Sequence, residues 1–166
     1  ECAIGIEQLK KLPKLVLGRQ KAAEQLSGLL SGLNGLRTPT VMPDCTHSYY
    51  MFPMVLNIEV LGVSRASIID ALSAEGVTGL TAGYVNVHLL PMYQQKIAYG
   101  SNGFPWTSDI CRRNVSYDRG ICPVAEELHG TTYMGLSACM HDMSVIDVTN
   151  IANAFIKVWS NLDALR

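Results

Sequence analysis

Six lysines and four histidines are the residues whose types could carry covalent or acid–base chemistry in this chain. A lysine forms a Schiff base with a carbonyl compound once burial has stripped its amine of solvent. Lys10, Lys11, Lys14 and Lys21 fall on the polar side of a helical pattern. Lys96 falls in a loop and Lys157 in a closing helix. None has neighbours that predict a desolvated nucleophile. Lys10, Lys14 and Lys21 offer either a basic patch to phosphates or, more simply, a solvated helix face. His47, His88, His129 and His141 are scattered, and no pair stands four apart on a helix, so a metal site is not expected. His88 lies between Tyr84 and Tyr93, ahead of the rigid Pro91. A histidine there either bonds loop backbone or meets a ligand. No nucleophile elbow and no glycine-rich phosphate loop is present.

Five cysteines, Cys2, Cys45, Cys111, Cys122 and Cys139, are an odd number without CxxC spacing. That pattern argues against a disulfide framework or zinc. It fits reduced thiols in a cytoplasmic protein. The length of 166 residues fits one domain with a real core. Charged residues are 16% of the chain and hydrophobic ones 48%. A charge content below the usual quarter suggests surface covered by another domain or subunit. The net charge of −1 supplies no field for nucleic acid or an acidic membrane. No apolar run reaches the roughly 18 residues of a spanning helix, and no secretory leader is visible.

The elements that must position these residues alternate between helix and strand. Glu1 to Leu12 reads as an amphipathic helix already under way, so the chain is expected to be the C-terminal part of a larger protein. Pro13 predicts a break, because its ring crowds the preceding turn and its N–H is missing. A second helix then starts near Pro13, with Leu15, Ala22, Leu26, Leu29, Leu30 and Leu33 on one face. Gly32, Asn34 and Gly35 stop it. Leu36 to Cys45 reads as an extended linker, and Tyr49 to Leu61 as one or two strands with Pro53 at an edge or bulge. Ser64 caps a helix over Arg65–Ala74, which Gly76 ends in a left-handed turn. Val77 begins a second strand or loop. Gly79–Tyr93 is loop-like, and Ala98–Gly120 is a long irregular loop of the kind that is functional or packed on a neighbour. Pro123 opens a short helix through Leu128. Thr131–Cys139 is a final strand. Ser144 and Asp147 form a capping box on a terminal helix striped by Ile151, Ala154, Phe155, Val158 and Leu162. The order is an α/β or α+β signature, with no internal repeat.

Four segments in this order carry a resemblance. Glu1 to Leu12 resembles an E-x-A-A-x-G-x-x-Q-L-x-x-L helix. Thr46, His47, Tyr49 and Tyr50 resemble an H-x-Y segment. Gly83 to Tyr93 resembles H-Y-x-P-L-H-x-x-P-x-Y, and Cys122 to Leu128 matches C-P-x-A-E-x-L. Together they are similar to the small domain of the DegT/DnrJ/EryC1/StrS aminotransferases, PLP-dependent enzymes that aminate nucleotide-linked keto-sugars.

The resemblance implies an α/β architecture, the α+β small domain of the aspartate-aminotransferase-like fold, with an antiparallel-leaning sheet packed by helices. It implies that residues 1–166 are a C-terminal small domain. The Schiff-base lysine, the aspartate facing the pyridine nitrogen, the phosphate site and an asparagine-arginine motif would lie upstream. PLP then belongs to the parent enzyme, with none bound by this chain alone, which would be inactive. The implied partners are a nucleotide-sugar, an amino-acid donor (glutamate) and a second subunit of a homodimer, and no nucleic acid or membrane. Tyr84 matches the aromatic of H-Y and His88 the histidine of P-L-H, so both are expected at the substrate. The chain departs from the pattern at Gly83, where the family has histidine, and it lacks the proline ahead of L-H. The insertion Gly103–Gly120 is expected to close over the pocket, with Trp106 stacking near the substrate or subunit boundary. The competing expectation is a noncatalytic binding or assembly domain that kept the fold.

Overall fold

A computed structural model describes residues 1–100, 102–137 and 142–166. Cys139 and His141 lie outside the described residues. The chain divides into two compact units, Glu1–Ala82 with Thr132–Arg166, and Gly83–Thr131.

The first unit begins with α1, one continuous helix over Cys2–Leu30. The break expected at Pro13 does not occur. Residues 1–15 are all exposed, so water can take the Leu9 carbonyl that Pro13 leaves without its N–H partner. The apolar face divides accordingly. Ala22, Ala23, Leu26 and Leu30 are buried, whereas Leu15 and Leu29 stay exposed.

Leu36–Arg37 forms a two-residue strand, β1, at the start of the segment expected to be a linker. Phe52–Leu56 forms β2. Of the one or two strands expected over Tyr49 to Leu61, β2 is the one formed, and a helical turn, α2, follows over Ile58–Leu61. Asn57 caps it by accepting the Val60 N–H, a local bond that outcompetes strand pairing for this backbone. Ser64 accepts the Ser67 N–H and starts α3 over Arg65–Ala74, with the expected bounds. Gly76 follows at φ +89°, the left-handed backbone that glycine adopts without a Cβ clash.

Leu80–Thr81 forms β3 and Tyr133–Leu136 forms β4. The sheet order is β1-β2-β4-β3, and each adjacent pair is antiparallel. Pro53 pairs with Gly135, beyond the end of β1, so its missing N–H opens no gap in the ladder. A Cβ on Gly135 would stand 2.6 Å from the Tyr133 hydroxyl and 3.0 Å from Met51 Cγ, so a larger residue there would push those side chains aside.

Val145–Trp159 forms α6, whose capping box between Ser144 and Asp147 is present as expected. Leu162, expected on the same stripe, falls in a 3₁₀ turn over Leu162–Leu165. One buried cluster unites the inward residues of β2 (Phe52, Met54, Leu56) with Met134 and Leu136 of β4, Leu26 of α1, Ile68 of α3 and Phe155 of α6. Period-two burial along β2 turns one sheet face to these helices. Mixed helices and an antiparallel sheet are thus the observed fold class.

The second unit is mostly irregular, as expected for Ala98–Gly120. Its regular pieces are a 3₁₀ turn at Val87–Leu89, α4 over Pro91–Gln94, α5 over Pro123–Glu127 and the π-helical turn over Leu128–Thr132 that follows α5. Pro91 and Pro123 each open their helix, where a missing N–H costs nothing.

Candidate functional site

Two of the segments singled out in the sequence meet inside the second unit. The His88 Nε2 lies 2.9 Å from Glu126 Oε1. Their side chains keep only 11% and 9% of their exposure. Glu126 is also held by backbone: the Gly120 N–H reaches both carboxylate oxygens at 2.8 Å, and the Cys122 N–H reaches Oε1 at 3.2 Å. Burial pushes the Glu126 carboxyl up, but the N–H of Gly120, the His88 ring and the N–H of Cys122 together hold it below the ordinary carboxylate range. An ionised carboxylate only accepts, so the His88 Nε2 donates.

Gln94 fixes the same region from the other side. Its amide donates to the His88 carbonyl at 2.7 Å and also to the Tyr117 carbonyl. That joins the motif loop to the long insertion. Trp106 belongs to the same knot. Its Nε1 donates to the Tyr117 hydroxyl at 3.0 Å, and its ring meets Tyr93 and Tyr117 edge-on. Such aromatic pairs each contribute about 0.5–1.5 kcal/mol beyond area burial. Tyr84, by contrast, is 76% exposed. A half-open cleft of about 290 Å3 lies beside this knot, lined by Tyr93, Gln94, Lys96, Ser116 and Asp118. It is at the lower limit of sites that enclose a whole small molecule, about 300 Å3.

Of the three residues expected at a substrate, His88 and Trp106 therefore sit in one hydrogen-bonded and aromatic cluster, and Tyr84 stands on the surface. Glu126, Gln94 and Tyr117 were missed by sequence reasoning. Glu126 had a signal only as the acidic residue of the C-P-x-A-E-x-L match. Gln94 had none. His47 has a structural task in the first unit, since its Nδ1 accepts the Tyr49 N–H at 2.8 Å. Among the described residues no group of acids, histidines and cysteines could hold a metal, and Cys2, Cys45, Cys111 and Cys122 are free thiols.

None of the six lysines is buried within this chain. Lys10, Lys11, Lys14, Lys21 and Lys157 are exposed, and Lys96 is half-buried. Lys10 and Lys157 are further paired with Glu7 and Glu75. No helix of the described residues is long and apolar enough to cross a membrane.

The sequence profile of the DegT/DnrJ/EryC1/StrS aminotransferase family matches residues 1–126. The spore coat polysaccharide biosynthesis protein SpsC of Bacillus subtilis is 28% identical over 116 residues, which are 70% of this chain and 30% of that protein. The dTDP-4-dehydro-2,3,6-trideoxy-D-glucose 4-aminotransferase of Saccharopolyspora spinosa is 27% identical over 114 residues, 68% of this chain and 27% of that protein. The crystal structure of the aminotransferase TlmJ from Streptoalloteichus hindustanus superposes with a TM-score of 0.63 at 25% identity, covering 98% of this chain and 36% of that one. The chain thus spans about a third of the length of the proteins it matches.

Proposed function

Because this chain belongs to the DegT/DnrJ/EryC1/StrS aminotransferase family, we propose that it is the C-terminal small domain of a PLP-dependent sugar aminotransferase. The whole protein moves an amino group from glutamate to a nucleotide-linked keto-sugar, for surface polysaccharide or glycoconjugate synthesis. It works in the cytoplasm as a homodimer. PLP supplies the electron sink for that chemistry, from a part of the protein other than these residues. The chain alone is inactive.

The observation that carries this reading is the 2.9 Å bond between His88 and Glu126. It unites two of the four segments whose residue patterns resemble the family. The role of this unit is to shape the sugar pocket, with His88, Tyr84 and Trp106 contributing. The exposed apolar residues of α1, such as Ile4 and Leu9, support a surface made to be covered by the rest of the protein or a second copy.

The test is an absorbance titration with PLP, on this chain and on the whole protein that contains it. A Schiff-base band in the whole protein, bleached by glutamate and missing from the chain, is expected. No band in either contradicts the reading.

A further inference from the structure

We propose that Glu126 is a positioning residue that decides which nitrogen of His88 is offered to a ligand. Its carboxylate cannot swing away, because the N–H groups of Gly120 and Cys122 both hold it. It takes the His88 Nε2–H at 2.9 Å. A neutral imidazole carries one N–H, so committing it to Nε2 leaves a lone pair on Nδ1. Among the described residues the His88 ring bonds only Glu126, through Nε2, and its side chain keeps 11% of its exposure. The backbone at His88 is anchored as well, by the Gln94 amide on its carbonyl. The ring thus meets a ligand as a fixed acceptor. It fits an O–H donor, such as a sugar hydroxyl, and in its neutral form it repels a carbonyl or phosphate oxygen. A carboxylate behind a histidine fixes tautomer and orientation in the same way at metal sites.

This proposal rests on the reading that the His88 loop contributes to a sugar pocket, but its test does not. The experiment is ring proton–nitrogen NMR on the 15N-histidine-labelled chain, at a pH where the rings are neutral. His88 is assigned by its loss in His88→Gln. The expected result is a proton on Nε2, none on Nδ1, and slow exchange of that proton with water. In Glu126→Ala the exchange should speed up about tenfold or more, the loss of a charge-assisted bond. A proton on Nδ1 in the unaltered chain overturns the proposal, as does unchanged exchange in Glu126→Ala. If Glu126→Ala fails to fold, Glu126→Gln decides, since a neutral amide holds the proton less well. Faster exchange supports the proposal and unchanged exchange overturns it. The readout involves neither PLP nor amino transfer, so the failure of one reading is distinguishable from the failure of the other.

Discussion

His47 accepts the backbone N–H of Tyr49 through its Nδ1 at 2.8 Å, and Tyr49 sits in left-handed backbone at φ 49°. A buried tyrosine is strained there, at a cost of order 1–3 kcal/mol. The two-residue spacing lets the imidazole satisfy the N–H that this twist turns away from regular pairing. The rings also meet at 4.3 Å. His47→Ala should therefore destabilise the chain by about 1–2 kcal/mol. His47→Asn should recover part of that loss, because an asparagine oxygen bonds backbone two residues on. Urea midpoints at constant slope measure both. An unshifted midpoint in His47→Ala would show that the turn does not depend on this bond.

The core and the N-terminal helix should respond oppositely to truncation. Phe155 is fully buried, so Phe155→Ala should cost about 3–5 kcal/mol. Leu9 is 67% exposed, and Leu9→Ala should stay within about 0.5 kcal/mol. Equal losses in denaturant unfolding would mean that the first turns of α1 are packed against something.

Acid should loosen two places. The carboxyls of Glu126 and Asp147 are both held below their ordinary range: Glu126 by N–H groups and the His88 ring against the opposing effect of burial, Asp147 chiefly by the Ser144 hydroxyl and N–H. A depressed carboxylate contributes stability that is present above its unfolded value and lost as pH falls through the folded one. Melting temperature should therefore drop as pH is lowered through and below the ordinary carboxylate range. Glu126→Gln and Asp147→Asn should each flatten that fall. An acid limb of the same steepness in the double variant would rule these two residues out as its source.

Pro13 lies inside α1, where it leaves the Leu9 carbonyl without its helical partner. Pro13→Ala should restore that bond and slow amide exchange between Leu9 and Leu17. Hydrogen-exchange mass spectrometry reads it directly. Unchanged exchange would mean that the proline leaves the local helix as firm as alanine does.

The elements with capping signals were legible in the sequence. Ser64 and Ser144 fixed the starts of α3 and α6, and Gly76 the end of α3, because each side chain or φ acts on its own few residues. Pro13 misled because its penalty depends on surroundings, and at an exposed position water replaces the lost partner. Ile58–Leu61 misled because Asn57 overrides the strand preference of branched residues. Within the candidate site, His88 and Trp106 were legible as special, but their partners were not. Glu126 stands 38 residues from His88, and Gln94 23 residues from the Tyr117 carbonyl it holds. No local period encodes contacts at such separations.

We propose that the protein containing this chain aminates a nucleotide-linked keto-sugar. Mass spectrometry of that protein incubated with PLP, 15N-glutamate and a panel of nucleotide-linked keto-sugars tests it most directly. An amino-sugar nucleotide carrying the 15N label, formed by the whole protein and not by this chain alone, is expected. A PLP-loaded protein that labels none of the panel, or a product whose nitrogen does not come from an amino acid, would contradict it.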